Sequence, residues 1–154
     1  MCARSARTGS RLLQAPVSRQ RTRKARGELP APHASGREAE DAACEKLEAN
    51  GFRILWRNLR IGALEIDIVA KKQDLVVVVE VRTRGRGSFE KPLASISRAK
   101  RKTIVRASRA LWKGRIAKMA DVRRYRIDVA AVTKDDDGAL HVEWIAGAIT
   151  ADDA

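Results

Sequence analysis

An almost continuous run of β-branched residues, LVVVVEV at residues 75–81, constrains the fold more than any other feature of the sequence. Such a run is typical of a strand that is covered on both faces, because neither face alternates with polar residues. The run contains one acid, Glu80. Burying an unpaired carboxylate is costly, so Glu80 needs a cationic partner or a metal ion beside it.

The segments around this strand predict an α/β domain in which two helices pack on a mixed central sheet. Ala39, Ala43 and Leu47 recur at helical spacing, and Asn50-Gly51 ends that helix. The first three predicted strands form a meander of hairpins. The predicted order is α-β-β-β-α-β-β, with strands at 52–59, 63–70, 75–81, 125–132 and 140–145 and a second helix near 94–113.

The charge balance favours a polyanionic partner such as nucleic acid. The chain has 154 residues, with 32 Lys or Arg against 19 Asp or Glu, for a net charge of +13. No apolar run approaches the roughly 18–20 residues that a membrane-spanning helix needs, so an integral membrane protein is not expected. Two cysteines, Cys2 and Cys44, are too few for a disulfide framework or a zinc site, which favours the reducing cytoplasm.

Much of this charge lies in the first 34 residues, which hold eight Lys or Arg and one acid, Glu28. The segment also contains three prolines and no sustained periodicity, so residues 1–34 are predicted to be a disordered basic extension. A solvated tail, sequence upstream of the true start, a nucleic-acid-gripping arm and a transit peptide are all compatible with this composition. The folded domain is predicted to span residues 35–154.

A second acid, Asp67, lies in the strand that precedes Glu80. If the two strands pair through the turn at 71–74, the two carboxylates lie side by side and repel each other unless a divalent cation binds between them. Hard oxygen ligands favour Mg²⁺ or Mn²⁺. Arg82 would share the face of Glu80 and could hold a phosphate oxygen. An ordinary ion pair between Glu80 and Arg82, with Asp67 capping a turn or meeting an arginine, explains the same pattern equally well.

Basic residues near these acids are candidates for phosphate contacts. Arg84 and Arg86 lie in a Gly- and Arg-rich segment, residues 83–92, that is predicted to be a loop. Lys100 and Arg101 lead the basic face predicted on the second helix, which is either a solvated face or a phosphate track. That face comprises Arg98, Lys100, Arg101, Lys102, Arg106 and Arg109.

Other candidates have simpler expected roles. Asp128 is expected to pair with an arginine or order a turn, and Glu65 to be a paired strand acid rather than an additional ligand. Cys44 is expected in the core. The three tryptophans are expected to pack rather than to stack on bases: Trp56, Trp112 and Trp144.

Several separate blocks of the sequence, in this order, resemble the YraN family of small endonuclease-like bacterial proteins. The resemblance covers about residues 35–149, nearly all of the predicted domain. The blocks are Gly36…Glu40…Ala43, Gly51-Phe52-Arg53-Ile54-Leu55, Arg57-Asn58, Glu65-Ile66-Asp67-Ile68-Val69-Ala70, Val79-Glu80-Val81-Arg82-Thr83-Arg84, Lys100, Arg126-Ile127-Asp128-Val129 and His141-Val142.

That family is similar to the PD-(D/E)xK nucleases, so the resemblance implies a restriction-endonuclease-like α/β/α core and a Mg²⁺-dependent phosphodiesterase site. It implies that Asp67 and Glu80 are the two acids of the motif, that Glu40 is the helical glutamate completing the metal site, and that Arg82 takes the place of the lysine. Arginine can clamp a phosphate but cannot in practice shed a proton. Enzymes of this superfamily often dimerise, so a homodimer is possible.

Three functions therefore remain open from the sequence. The first is a metal-dependent nuclease acting on DNA or RNA, with Asp67, Glu80 and Arg82 in catalytic roles. The second is a nucleic-acid-binding protein whose nuclease-like site does not catalyse cleavage, as the arginine at position 82 would allow. The third is a scaffold protein whose charge serves ribonucleoprotein contacts.

Overall fold

The computed structural model of the chain describes residues 32–84, 93–135 and 137–153, with side chains from Gly36 onward. Its element order, α-β-β-β-α-β-β, is the predicted one. The elements are α1 (Pro32–Ala49), β1 (Arg53–Ile61), β2 (Leu64–Lys72), β3 (Leu75–Arg84), α2 (Arg98–Gly114), β4 (Arg124–Lys134) and β5 (Leu140–Ile149), with short 3₁₀ turns at Ile116–Lys118 and Ala151–Asp153.

The five strands form one mixed sheet in the order β1-β2-β3-β4-β5, which confirms the predicted α/β class. Neighbouring strands are antiparallel except β3 and β4, which run parallel because α2 connects them as a crossover. Strand β3 is therefore the centre of the sheet. The pairing of β3 with β4 continues as far as Arg84. The prediction of a loop from residue 83 is therefore wrong for Thr83 and Arg84.

The two helices cover opposite faces of β3. Helix α1 packs Ala43 and Leu47 into a cluster with Val77 and Val79. Helix α2 packs its buried stripe into a second cluster with Val76 and Val78 on the other face. All four valines are buried, which confirms that the LVVVVEV run is a strand covered on both sides.

The predicted borders of three elements need correction. Helix α2 begins at Arg98 rather than 94, because the Ser97 side chain accepts a hydrogen bond from the Lys100 backbone N–H at 3.2 Å and caps the helix. Strand β5 continues to Ile149, well past the predicted end at 145. The turn predicted at 71–74 is tighter, because Lys72 and Leu75 are paired and Gln73 takes a left-handed φ of 53°.

The predicted basic extension lies almost wholly outside the described residues. Helix α1 already begins at Pro32, three residues before the predicted start of the domain. Among the described residues, no helix combines the length and apolar character needed to cross a membrane.

Asp128 joins the last two strands through a buried hydrogen-bond network. Its carboxylate is fully buried and accepts two bonds from Arg126, at 2.7 and 2.8 Å. It also accepts the Trp144 indole N–H at 3.0 Å and the Gly147 backbone N–H at 2.8 Å. These bonds stabilise the β4–β5 pairing at its register shift between Ile127 and Val129. The expected pairing of Asp128 with an arginine is thus confirmed.

Removing this carboxylate should destabilise the fold strongly. We expect Asp128→Ala to lower the free energy of unfolding by roughly 3 kcal/mol, because it empties a fully buried site and leaves the partly buried donors of Arg126, Trp144 and Gly147 without their shared acceptor. Urea denaturation followed by circular dichroism measures the change. Asp135→Ala, which removes an exposed contact with His141, is the matched control and should cost less than about 1 kcal/mol. Equal losses in both variants would contradict a structural role for Asp128.

Candidate functional site: an acid pair, a lysine and a helical glutamate

The β2–β3 hairpin places Asp67 and Glu80 next to each other. The last regular pair at this end of the hairpin is Ile68 with Val79, and one further step in the same register sets Asp67 opposite Glu80. Opposed residues of antiparallel strands project to the same face. The backbone N–H of Val81 donates to Asp67 Oδ2 at 2.7 Å. The predicted juxtaposition of the two acids is therefore present.

A pocket of about 220 Å³ lies beside this pair. It is formed where the N-terminal half of α1 and the first turn of α2 meet the adjoining ends of β2 and β3. The residues lining it are Gly36, Ala39, Glu40, Asp67, Glu80, Val81, Arg82, Thr83 and Lys100. Five of the nine are ionisable, so the pocket suits a small charged ligand rather than an apolar one.

Glu80 is 4% exposed and finds its cationic partner on helix α2. Lys100 Nζ lies 3.0 Å from Glu80 Oε1, whereas Arg82 Nη1 lies 3.8 Å from the same oxygen. The ion pair expected between Glu80 and Arg82 is present, but the Lys100 contact is the closer one. Since the Ser97 cap fixes the start of α2, it also fixes where Lys100 meets the strand.

Sequence reasoning grouped Lys100 with the exposed cations of α2 and missed its place in the acid cluster. A signal was available in the helix periodicity. Lys100 precedes Ile104, Ala107 and Leu111 by four, seven and eleven residues, and those three residues form part of the buried stripe. Lys100 therefore begins the buried face of α2 rather than its solvated face.

The surroundings of Asp67 raise its pKa to about 6. Burial is the largest cause, because it penalises the charged form, and the Glu80 carboxylate adds to the effect. The Val81 hydrogen bond and the Lys100 charge lower the pKa, and Glu40 raises it. Asp67 is therefore an acid whose negative charge is not fully compensated by the protein.

This raised pKa predicts a pH dependence of stability. Between pH 4 and pH 6, roughly the ordinary and the shifted pKa, the folded state binds more protons than the unfolded state, so the free energy of unfolding should fall as the pH rises. The loss should be on the order of 3 kcal/mol, complete above the folded pKa. Urea unfolding from pH 4 to 7.5 in EDTA measures it. The Asp67→Asn variant should lack this component, and an unchanged slope in that variant would contradict the assignment.

Glu40 lines the same pocket, but its hydrogen-bond partner lies on the edge strand β1. Asn58 Nδ2 donates to Glu40 Oε2 at 2.8 Å, and Arg57 Nη2 lies 3.7 Å from that oxygen and 2.6 Å from Asp41. Asn58 takes a left-handed φ of 47°, which asparagine tolerates better than most residues. The β1–β2 register sets Asn58 opposite Asp67. Sequence reasoning quoted Asn58 only within the family resemblance and gave it no role.

The acid pair fits a hard divalent cation. Mg²⁺ is usually held by one or two carboxylates together with water and substrate phosphates, and Asp67 and Glu80 supply two carboxylates in one pocket. No group of three His, Cys, Asp or Glu side chains converges as a ready-made metal site within the described part of the chain. Glu40 as a third ligand therefore stays a prediction, since its Oε2 is engaged by Asn58.

The remaining predicted phosphate contacts lie elsewhere. The Arg84 side chain is 12% exposed, approaches Glu143 at 3.8 Å and lines a separate pocket of about 270 Å³. Arg101 donates to the backbone oxygens of Leu93 and Ile96 at 2.6 and 3.1 Å and also pairs with Asp153. Arg84 and Arg101 thus interact with other residues of the same chain. Arg86 lies outside the described residues. Nucleic-acid contact by these arginines stays a prediction.

The tryptophans, Cys44 and Glu65 behave as expected from the sequence. Trp144 packs edge-on against Phe52 with ring centroids 5.3 Å apart, and Trp112 lies 5.1 Å from Tyr125. Cys44 is buried in the α1 cluster. Glu65 is an exposed strand acid that lies 3.5 Å from Arg60, as expected for a paired surface carboxylate. None of these residues lines the pocket of the acid pair.

A helix–sheet–helix arrangement with two strand-borne acids and a helical glutamate around one pocket defines an α/β protein with an acidic candidate site. Residues 39–132 match the model of the uncharacterised protein family UPF0102. The chain belongs to that family, which is the YraN family indicated by the sequence blocks.

Individual relatives match most of the described domain. A UPF0102 protein of Sorangium cellulosum (strain So ce56) is 40% identical over 139 residues, which cover 87% of this chain and 96% of that protein. Another, of Desulforapulum autotrophicum, is 42% identical over 117 residues, or 76% of this chain and 93% of that protein. A third, of Oleidesulfovibrio alaskensis, is 46% identical over 90 residues, or 58% of this chain and 44% of that protein.

Proposed function

We propose that the protein is a Mg²⁺- or Mn²⁺-dependent nuclease that hydrolyses phosphodiester bonds in DNA or RNA. The observation that carries the proposal is the pocket that brings together Asp67, Glu80 and Lys100, with Nζ of Lys100 3.0 Å from Glu80. Two carboxylates on adjacent strands offer hard oxygen ligands, and a lysine beside them is suited to proton transfer or to stabilising negative charge.

Each charged residue of the pocket would have its own role in the reaction. Asp67 and Glu80 would hold the metal ion, which supplies positive charge to the scissile phosphate when bound. Arg82, which is partly exposed at the pocket, would bind a phosphate oxygen but could not move a proton. Lys100 is the residue that could exchange a proton at Nζ, because it carries an amine rather than a guanidinium. In this proposal Lys100 replaces the lysine that is absent at position 82.

Metal binding and turnover should respond differently to changes in the acids and in Lys100. Calorimetry should show Mn²⁺ or Mg²⁺ binding by the parent protein and none by the Asp67→Ala/Glu80→Ala double variant. Lys100→Ala should keep metal binding or strengthen it, because Glu80 loses a competing cation, yet lower the cleavage rate by roughly 10²–10⁴-fold. Lys100→Arg should not restore the rate, because arginine does not give up a proton.

The matched control is Lys118→Ala, an exposed lysine outside the pocket, which should cleave like the parent. Each variant is compared on labelled DNA and RNA with Mg²⁺, with Mn²⁺ and with EDTA. Asp67→Ala should abolish cleavage and barely weaken nucleic-acid binding. Metal-dependent cleavage that survives in Asp67→Ala would overturn the assignment of the site.

A non-catalytic nucleic-acid-binding protein is the alternative that one observation favours. Lys100 already neutralises Glu80, so the acid cluster is partly satisfied without any ion. This alternative expects salt-sensitive nucleic-acid binding and no metal-dependent cleavage. Cleavage by the purified protein that disappears in the Asp67 variant would exclude it. For both of these functions, a cytoplasmic location and a homodimer stay predictions from the sequence.

A further inference from the structure

Helix α2 carries a row of five exposed cations along its outer side. Within the described ranges, none of the five has an acidic side chain at ion-pair distance. They recur at steps of four, four, three and four residues, so at about 100° per residue they fall within about 80° of one another. The α2 cation row consists of Arg98, Lys102, Arg106, Arg109 and Lys113.

The row differs from the basic face predicted from the sequence. Lys100 and Arg101 point to the buried side of the helix and have partners there, whereas Lys113 belongs to the row and was not predicted. Helix α2 contains no acid that could neutralise the row. Three acids from other segments, Asp153, Asp121 and Asp74, are paired with Arg101, Lys71 and Arg124, whereas the exposed Asp152 has no cation at ion-pair distance among the described residues.

The geometry points to a long polyanion as the partner of this row. From Arg98 to Lys113 the row extends about 22 Å along the helix axis, at a rise of about 1.5 Å per residue. Its neighbours Ala99 and Ala110 are small, so a phosphate backbone could approach the helix closely. A regular line of uncompensated charges is matched by the regular charges of a nucleic-acid backbone.

Two other kinds of partner fit the row less well. A membrane-surface helix inserts an apolar face into the lipid, but the apolar side of α2, with Ile104 and Leu111, is buried against the sheet. The core of a protein interface is rich in aromatic and apolar side chains and poor in lysine. The row offers neither an apolar centre nor an exposed aromatic ring.

The first residue of the row lies in the same turn of α2 as one pocket residue, but on the other side of the helix. Arg98 and Lys100 share the first turn of α2, and Lys100 contacts Glu80 in the pocket. We propose that the α2 cation row binds the backbone of a nucleic acid along the outer side of the helix. The proposal rests on the proposed function for the identity of the substrate and makes that substrate a polymer that the protein also contacts outside the pocket, but its binding step requires neither metal nor cleavage.

The test compares two triple variants of the full chain that lose the same charge. The row variant is Lys102→Gln/Arg106→Gln/Arg109→Gln, and the control variant is Lys46→Gln/Arg53→Gln/Arg60→Gln, which removes exposed cations of α1 and β1. Fluorescence anisotropy in EDTA measures the affinity for a labelled DNA duplex and for a single strand between about 50 and 200 mM salt. Urea midpoints equal to that of the parent establish that each variant folds.

The row variant should bind roughly tenfold or more weakly at fixed salt. Its plot of log affinity against log salt should lose about 2.7 from the slope with duplex DNA, or about 2.1 with a single strand, as expected for three lost phosphate contacts. The control variant should lose less than 1. The charge-retaining variant Lys102→Arg/Arg106→Lys/Arg109→Lys should keep the parent slope.

Three outcomes would overturn the row as the binding surface. Equal losses in the row and control variants would indicate an effect of net charge, and an unchanged slope in the row variant would place binding elsewhere. Loss of binding to phosphatidylserine vesicles without loss of DNA binding would assign the row to a membrane surface.

The proposed row and the proposed hydrolysis can fail independently. Row-dependent binding without metal-dependent cleavage would refute the proposed hydrolysis and leave the row intact. If a row variant binds with the affinity of the parent and its cleavage still depends on Asp67, the row is refuted as the binding surface and the proposed hydrolysis stands.

Discussion

The negative charge of Glu80 is the constraint on which the rest of the structure depends. Glu80 continues the strand whose valines 76–79 are buried on both faces, and its own side chain is almost inaccessible. A carboxylate in that position requires compensation, because desolvation of an unpaired charge is costly. The fold supplies Lys100 from the crossover helix that the parallel β3–β4 pair requires. The topology of the sheet and the charge balance of the pocket are therefore linked.

The pocket remains electrostatically unbalanced after this compensation. Asp67 lies opposite Glu80, and burial together with that neighbouring charge raises the pKa of Asp67 to about 6. Glu40 adds a third carboxylate from α1, steadied by Asn58 on the edge strand β1. Glu40 has Arg57 at 3.7 Å and Glu80 has Lys100 at 3.0 Å. Among the described residues the excess negative charge therefore lies on Asp67, which has no cation at ion-pair distance and whose charge a divalent cation would offset. This excess distinguishes the pocket from a purely structural ion pair.

Two groups of cations among the described residues have different physical roles. Lys100, Arg101 and Arg126 have partners inside the fold and help to hold its elements together. In the part of the chain that the structure describes, the α2 cation row has no such partners and faces solvent. Net charge alone does not distinguish the groups, since every one of these residues adds one unit to the net charge of +13. Lys100 and Arg101 differ from the row in the side of α2 that they occupy.

The sequence by itself determined the element order, the central strand and the adjacency of Asp67 and Glu80, because periodicity and hairpin connections are local properties of the chain. It also indicated the pairing of Asp128. Only the tertiary structure decided which cation meets Glu80, that Asn58 holds Glu40, and that Arg84 and Arg101 have internal partners. Apart from the bonds of Arg101 to Leu93 and Ile96, those contacts join residues far apart in the chain. The places of Lys100 and Arg101 follow from the β3–β4 crossover and the Ser97 cap, which together set the position and rotation of α2.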